Sequence, residues 1–311
     1  MDLQRQKQTV KTLICFLTIF LIHSFVLADI CNPNPSDNSQ PPHSIKDLLK
    51  SAAILRNLNY QKSTHSELIN DLTKLRNKME AYTLAFLNED KKKNLPISFT
   101  QKRIESDFKN AKLDDGGLTE VKIKNTGDDT ACVFADYCKI ELGSLDSETG
   151  YLAFKTYINI YCGNEIGFTL LQQSENIWKP ILCDTVSNEN KPLNLLKYSI
   201  FHRKDEAANY VVVARLSTWC QSVWQNTHVT VFRIDNEFTN AIFNYEISTV
   251  TDSENPNDDM LLNRLPNGFS IKVSNGDGTE PGFRFKHTYQ FTIKNGMVSN
   301  IAIQGLKPKN S

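Results

Sequence analysis

The chain has no surplus of charge of either sign. Its 311 residues carry 35 Lys and Arg against 35 Asp and Glu, with a pI near 7.0. Nucleic-acid binders concentrate positive charge on one face and usually show a pI above about 9, so that class is not expected. The seven cysteines never fall in a C-x-x-C pair, which removes zinc-ribbon and thioredoxin-type readings. There is no H-E-x-x-H, and His202, His228 and His287 are far apart in the chain; a zinc site would require the fold to gather them. A G-x-S-x-G elbow is missing, and with it the support for an α/β-hydrolase serine. The phosphate-binding and dinucleotide glycine motifs are missing as well. No metal and no cofactor is expected. The chain also lacks any Asn-x-Ser/Thr acceptor whose middle residue is not Pro, which favours a bacterial exported protein over a eukaryotic glycoprotein.

What is present begins with an export signal. Arg5, Lys7 and Lys11 form a positive start, Val10 to Ala28 is mostly apolar, and Val26-Leu27-Ala28 supplies a small residue for cleavage. Residues 1–28 read as a signal peptide cut after Ala28. The rival is an uncleaved anchor, but Leu13 to Ala28 is short for the roughly 20 residues of a membrane-spanning helix. Without residues 1–28 the chain holds 32 basic and 34 acidic side chains, a net of −2. No second apolar span follows, so no membrane span is expected after cleavage, and the protein is placed in the periplasm or outside the cell. Six cysteines then remain: Cys31, Cys132, Cys138, Cys162, Cys183 and Cys220. An even number in an oxidising compartment implies disulfides.

Residues 29–43 are polar and Pro-rich, a linker. Residues 44–112 form a helical segment. Ser44 can cap a first helix, and Thr64-His65-Ser66-Glu67 has capping-box spacing. Leu68, Leu72, Leu75, Met79, Tyr82 and Phe86 then recur at alternating steps of four and three. That seam is first an intramolecular packing stripe. A second reading makes residues 64–88 a dimer element. Phe99 to Lys112 can hold one more short helix.

Residues 113–311 read as an antiparallel β domain. Strands are expected near 118–124, 130–139, 151–161, 166–173, 177–183, 195–202, 209–217, 228–234, 238–247, 259–264, 268–274, 284–293 and 297–303. Turn signals include Gly163-Asn164, Asn236-Glu237, Asn267-Gly268 and Asn295-Gly296. The fold class is therefore mainly β with an N-terminal helical segment: a meander, a sandwich or a partial propeller-like arrangement.

The central stretch is Tyr210 to Ile234. Tyr210-Val211-Val212-Val213 has no polar alternation, as in a strand buried on both faces. His228 to Ile234 alternates, as in a half-buried partner, with a connection of about ten residues, longer than a usual hairpin loop. That connection carries Trp219, Cys220 and Trp224. Trp219 and Trp224 read first as plugs over the core and second as a ligand platform. A hairpin symmetric about residue 147 sets Cys132 opposite Cys162, the one disulfide that register argues for. Asp114, Asp115, Asp128, Asp129, Asp258, Asp259, Asp277 and Glu280 read as turn carboxylates, and the Asn275 to Glu280 stretch as a hairpin turn in preference to a calcium loop.

Three functions are consistent with these residues. The first is a disulfide-stabilised, non-enzymatic exported protein that binds another protein or a glycan. The second is a secreted carbohydrate-active hydrolase with an acidic pair as catalysts and Trp219 and Trp224 against the sugar. The third is a structural protein without a ligand.

Overall fold

The structure is a computed structural model. It describes residues 44–57, 65–113, 134–146, 149–160, 163–184, 193–203, 205–217, 224–235, 238–250, 260–275 and 285–305. The expected signal peptide, the linker and the expected strand at 118–124 lie outside these residues.

Three helices precede the strands: α1 (Ile45–Asn57), α2 (His65–Lys92) and α3 (Ile97–Asn110). Twelve strands follow: β1 (Phe134–Leu142), β2 (Tyr151–Ile160), β3 (Gly163–Ser174), β4 (Ile177–Asp184), β5 (Leu193–Arg203), β6 (Ala208–Ser217), β7 (Trp224–Asp235), β8 (Phe238–Val250), β9 (Met260–Leu265), β10 (Gly268–Asn275), β11 (Phe285–Lys294) and β12 (Met297–Gly305). The protein is thus mainly antiparallel β with N-terminal helices, as the sequence pattern requires.

Ser44 precedes α1, and its amide and hydroxyl both donate to the Asp47 carboxylate, at 3.1 and 2.9 Å. A carboxylate reaching back from the third helical position is one half of a capping box. Helix α2 has 28 residues, about 42 Å at 1.5 Å per residue. Thr64, expected to cap it, lies outside the described residues. Leu72, Leu75, Met79 and Tyr82 of the seam are buried with Leu48 and Ala52 of α1, Ile104 and Phe108 of α3, and Cys138, Ile140 and Ile158 of the sheet. The stripe is used within the chain. Beyond Lys92 the chain turns through Asn94 at φ 57°, and Pro96 opens α3 as its N-cap.

The described strands form two sheets, each a meander. The larger runs β1-β2-β3-β5-β6-β7-β8 with β4 also on β3; the smaller runs β12-β11-β10-β9. The larger sheet forks at β3. One edge of β3 pairs with β2 along its length. The other edge is divided, with β4 along Phe168–Ser174 and β5 at Asn164.

The fork lets the two halves of the sheet face each other. Tyr151, Ala153, Phe168, Leu170 and Leu182 meet Leu196, Val211, Val213, Phe232 and Ile234 in one core. On the opposite face of β6, Tyr210, Val212, Ala214 and Leu216 meet Phe269, Ile271, Val273, Phe291 and Ile293 of the smaller sheet in a second core. The helices cover the outer face of β1–β4, through Leu87 against Leu152, Phe154, Leu171 and Trp178 among others. The order of layers is helices, β1–β4, β5–β8, β9–β12: stacked sheets, with no closed barrel among the described residues.

Strand β6 is therefore buried on both faces, with Tyr210, Val211, Val212, Val213, Ala214 and Leu216 at 0% exposure. Each of its Val and Leu side chains contributes roughly 1.5–3 kcal/mol of transfer free energy. β7 is more deeply buried than its alternation implies, since Val231, Phe232 and Ile234 all lie between layers. β7 begins at Trp224, four residues earlier than expected, while β6 ends at Ser217 as expected, so only residues 218–223 separate them. The Asn295-Gly296 turn between β11 and β12 has φ 52° and 73°, the pair of positive values a type I′ hairpin requires.

Candidate functional site

A polar cluster lies between α2 and the β2–β3 surface. On α2, Arg76, Glu80 and Thr83 follow at helical spacing beside the apolar seam. On the sheet, alternation turns Thr156 of β2 and Glu165, Gly167 and Thr169 of β3 toward the helix, with Thr156 opposite Gly167 and Ile158 opposite Glu165. Arg76 is 3% exposed and donates from Nη1 to Glu165 at 2.7 Å, with its Nε 3.9 Å from Glu80. Gly167 makes the approach possible. A Cβ there would stand 2.6 Å from Arg76 Cδ and 2.6 Å from Thr156 Oγ1.

The electrostatics follow from burial. Both carboxyls are largely covered, with side-chain exposures of 19% and 16%. Burial pushes the Glu80 carboxyl up to about 7, against the pull of Arg76 and of Thr169, and the nearby Glu165 charge adds to the rise. Glu165 is also raised by burial, opposed by its ion pair with Arg76. Two acids share one guanidinium, so burial favours the protonated form of the carboxyl that Arg76 does not neutralise.

A second cluster ties the two sheets. Glu206, in the β5–β6 turn, accepts from the amides of Asn295 and Gly296 at 2.8 and 3.1 Å and from the Tyr210 hydroxyl. Burial raises its carboxyl, but these hydrogen bonds and Arg203 outweigh burial and hold it below the usual range. Arg203 in turn donates to the Ile293 carbonyl. At the far end of α2, Asn88 accepts from the Trp178 amide at 2.6 Å and donates to the Trp178 carbonyl at 3.3 Å. The Lys91 ammonium sits 4.3 Å from the Trp178 ring centre, a cation–π contact.

The residues singled out from the sequence do not gather in one place. Trp219 lies outside the described residues, and Trp224 opens β7 opposite Val250. His202 bonds Asn209 at 2.8 Å, His228 lies 3.7 Å from Glu246, and His287 sits beside Tyr289 in β11. Among the described residues no three His, Cys, Asp or Glu converge as a metal site. The turn carboxylates Asp114, Asp115, Asp128, Asp129, Asp258, Asp259, Asp277 and Glu280 lie outside the described residues. So do Cys31, Cys132, Cys162 and Cys220. Cys138 is buried on β1, and Cys183 lies on β4. β1 pairs with β2 at Phe134↔Ile160, a register symmetric about residue 147, then shifts by a bulge before Cys138↔Ile158.

The remaining feature is an edge. Among the described strands β12 ends the smaller sheet, and its nine residues MVSNIAIQG include no charge and no Pro. Among the other described strands with an outer edge, β1 has Asp136, Lys139 and Glu141, β4 has Lys179, Pro180 and Asp184, β8 has Glu246, and β9 has Arg264. Charges and prolines on an edge are the usual guards against strand addition. Met297 and Ile303 of β12 are 64% and 56% exposed. Ile301 and Ile303 stand opposite Phe291 and Tyr289, so their face continues the core between the sheets.

Neither the acid pair with Arg76 nor the bare edge stood out from the sequence. Arg76 and Glu80 resemble any surface i,i+4 pair, and Glu165 is 89 residues from Arg76. The one local signal was Gly167, a glycine inside an apolar strand, which marks a close approach. No family model, no curated protein and no solved structure matches this chain.

Proposed function

We propose that the protein is an exported, non-enzymatic binding protein that takes up an extended segment of another protein along the edge of β12. The observation that carries this reading is the absence of charge and proline from β12, where the other edges have them. An added strand gains main-chain hydrogen bonds from the edge, and its alternate side chains supply specificity. Here it would also cover Ile303 and extend the apolar layer between the sheets by one strand. The occupant is an uncharged segment, apolar at every second position, because a charge on its inner face would be buried against Ile301 and Ile303 without a partner.

The acid pair of α2 does not favour a hydrolase. Glu80 of α2 and Glu165 of β3 lie between the helix and the sheet and share Arg76, whereas glycoside hydrolysis sets two carboxyls across an open cleft with the sugar between them.

The test is selection of a random displayed-peptide library on the purified chain, repeated with Ile303→Lys. Uncharged peptides of alternating pattern should be enriched, and the variant should bind them at least about tenfold more weakly, a loss of about 1.4 kcal/mol. Its thermal stability should stay within about 0.5 kcal/mol, as for exposed substitutions. Failure to enrich any peptide, or equal binding by the variant, would overturn the reading. So would binding on a glycan array that Ile303→Lys leaves intact, which would point to a sugar site elsewhere.

A further inference from the structure

We propose that the contact of α2 with β2 and β3 is a proton-operated clasp, in which Glu80 and Glu165 share Arg76, the docked helix retains one proton, and loss of that proton loosens the helix from the sheet. The geometry sets the charge balance. Among the described residues Arg76, at 3% exposure, is the one cation on the two largely covered carboxyls. Two ionised acids and one guanidinium leave a net negative charge in a poorly hydrated layer, which is unfavourable unless a proton neutralises it.

The charged groups that act on Glu80 are Arg76 on its own helix and Glu165 on β3. β2 presents neutral Thr156 and Phe154 here; its Lys155 faces the other side, where it pairs with Glu141 at 3.1 Å. β4 meets α2 through Trp178, at Asn88 and Lys91, more than a turn away. No second cation from these elements compensates the pair. The Thr156 hydroxyl is buried in the same notch without a hydrogen-bond partner, and, being neutral, it brings no charge to offset the acids.

The direction follows from linkage. Glu80 has an ordinary value of 4.5 when exposed and is raised to about 7 in the docked state. The docked state therefore binds the proton more tightly. Docking is strongest below pH 4.5 and weakens as pH climbs to about 7, after which it is level. Glu165, raised in the same direction, acts with the same sign.

Amide hydrogen exchange on the full chain tests the clasp. Protection factors over residues 72–87, corrected for intrinsic exchange, should fall on the order of a hundredfold between pH 5 and pH 8. Glu80→Gln mimics the protonated acid, so it should keep the pH 5 protection at both values. A carboxyl-carbon NMR titration of the unmodified chain should place the Glu80 midpoint near 7. Flat protection in the unmodified chain would overturn the clasp. A fall in Glu80→Gln equal to that of the parent would overturn it too, as would a Glu80 midpoint below 5, which is readable even if the variant does not fold.

Discussion

Replacing Gly167 by Ala tests the cluster from its opposite side. The new Cβ would sit 2.6 Å from Arg76 Cδ, 3.1 Å from Arg76 Cγ and 2.6 Å from Thr156 Oγ1. Carbon contacts settle at about 3.5–4.0 Å, so each neighbour must retreat by about 1 Å. Thr156 is held by the β2–β3 ladder directly opposite Gly167. Arg76, though flexible in itself, is enclosed at 3% exposure. Overpacking of this kind costs about 1–3 kcal/mol. The alanine returns about 0.4–1 kcal/mol by restricting the unfolded chain. If Arg76 leaves Glu165, a broken buried pair adds about 3–5 kcal/mol at most, less here because both acids keep some solvent contact. The net expectation is a loss of about 2–4 kcal/mol, or roughly 3–7 °C in Tm for a chain of this size. Calorimetry or urea denaturation at neutral pH reads it. Gly150→Ala is the control, since Gly150 has φ 72° and no atom within 4 Å of its Cβ position; that change should cost only about 1 kcal/mol of backbone strain. If Gly167→Ala stays within about 0.5 kcal/mol of the parent, a value ordinary for harmless surface changes, the argument for close approach is wrong.

Two further outcomes follow from the packing. Phe291→Ala removes a ring that stacks on Phe269 at 4.6 Å and meets Phe243 and Tyr245 edge-on at 5.8 and 5.7 Å; it should cost about 3–5 kcal/mol in denaturant unfolding and flatten the near-UV signal of the aromatic cluster. Glu206→Ala leaves the Tyr210 hydroxyl and the Asn295 and Gly296 amides without their carboxylate; a loss of about 2–3 kcal/mol is expected, the cost of removing hydrogen bonds to a charged group, with faster amide exchange at Gly296.

The secondary structure was legible because its causes are local. Tyr210 to Val213 announced a strand covered on both sides, Asn295-Gly296 announced its turn, and the steps of four and three through Leu72, Leu75, Met79 and Tyr82 announced a packing stripe. The stacking of layers was not legible. It depends on the fork at β3, where Asn164 pairs with Leu193 while Phe168 pairs with Asp184, and no pattern in either segment signals a shared edge. The cluster on α2 was hidden for a related reason: its members come from two elements, and burial, which gives Glu80 its character, is a property of the assembled layers. Gly167 shows in the sequence only as a glycine within the apolar strand pattern, without the helix that approaches it. The exposure of Met297 and Ile303 likewise depends on β12 being last in its sheet, which is a fact of order and not of composition.

The double burial of β6 also sets a timetable for synthesis. Made from the N-terminus, the chain completes Tyr210, Val212, Ala214 and Leu216 before any of β9–β12 exists, and the residues that cover them, Phe269 to Val273 and Phe291 to Ile293, come more than 50 positions later. Until then one side of the innermost strand has no native cover, and an apolar strand left open in this way is prone to pair with the wrong neighbour. A chain halted after β8 would present that bare layer along its middle and not at a rim. Completion of the last four strands is thus the step that commits the whole molecule, and the segments farthest from the helices decide whether the centre stays soluble.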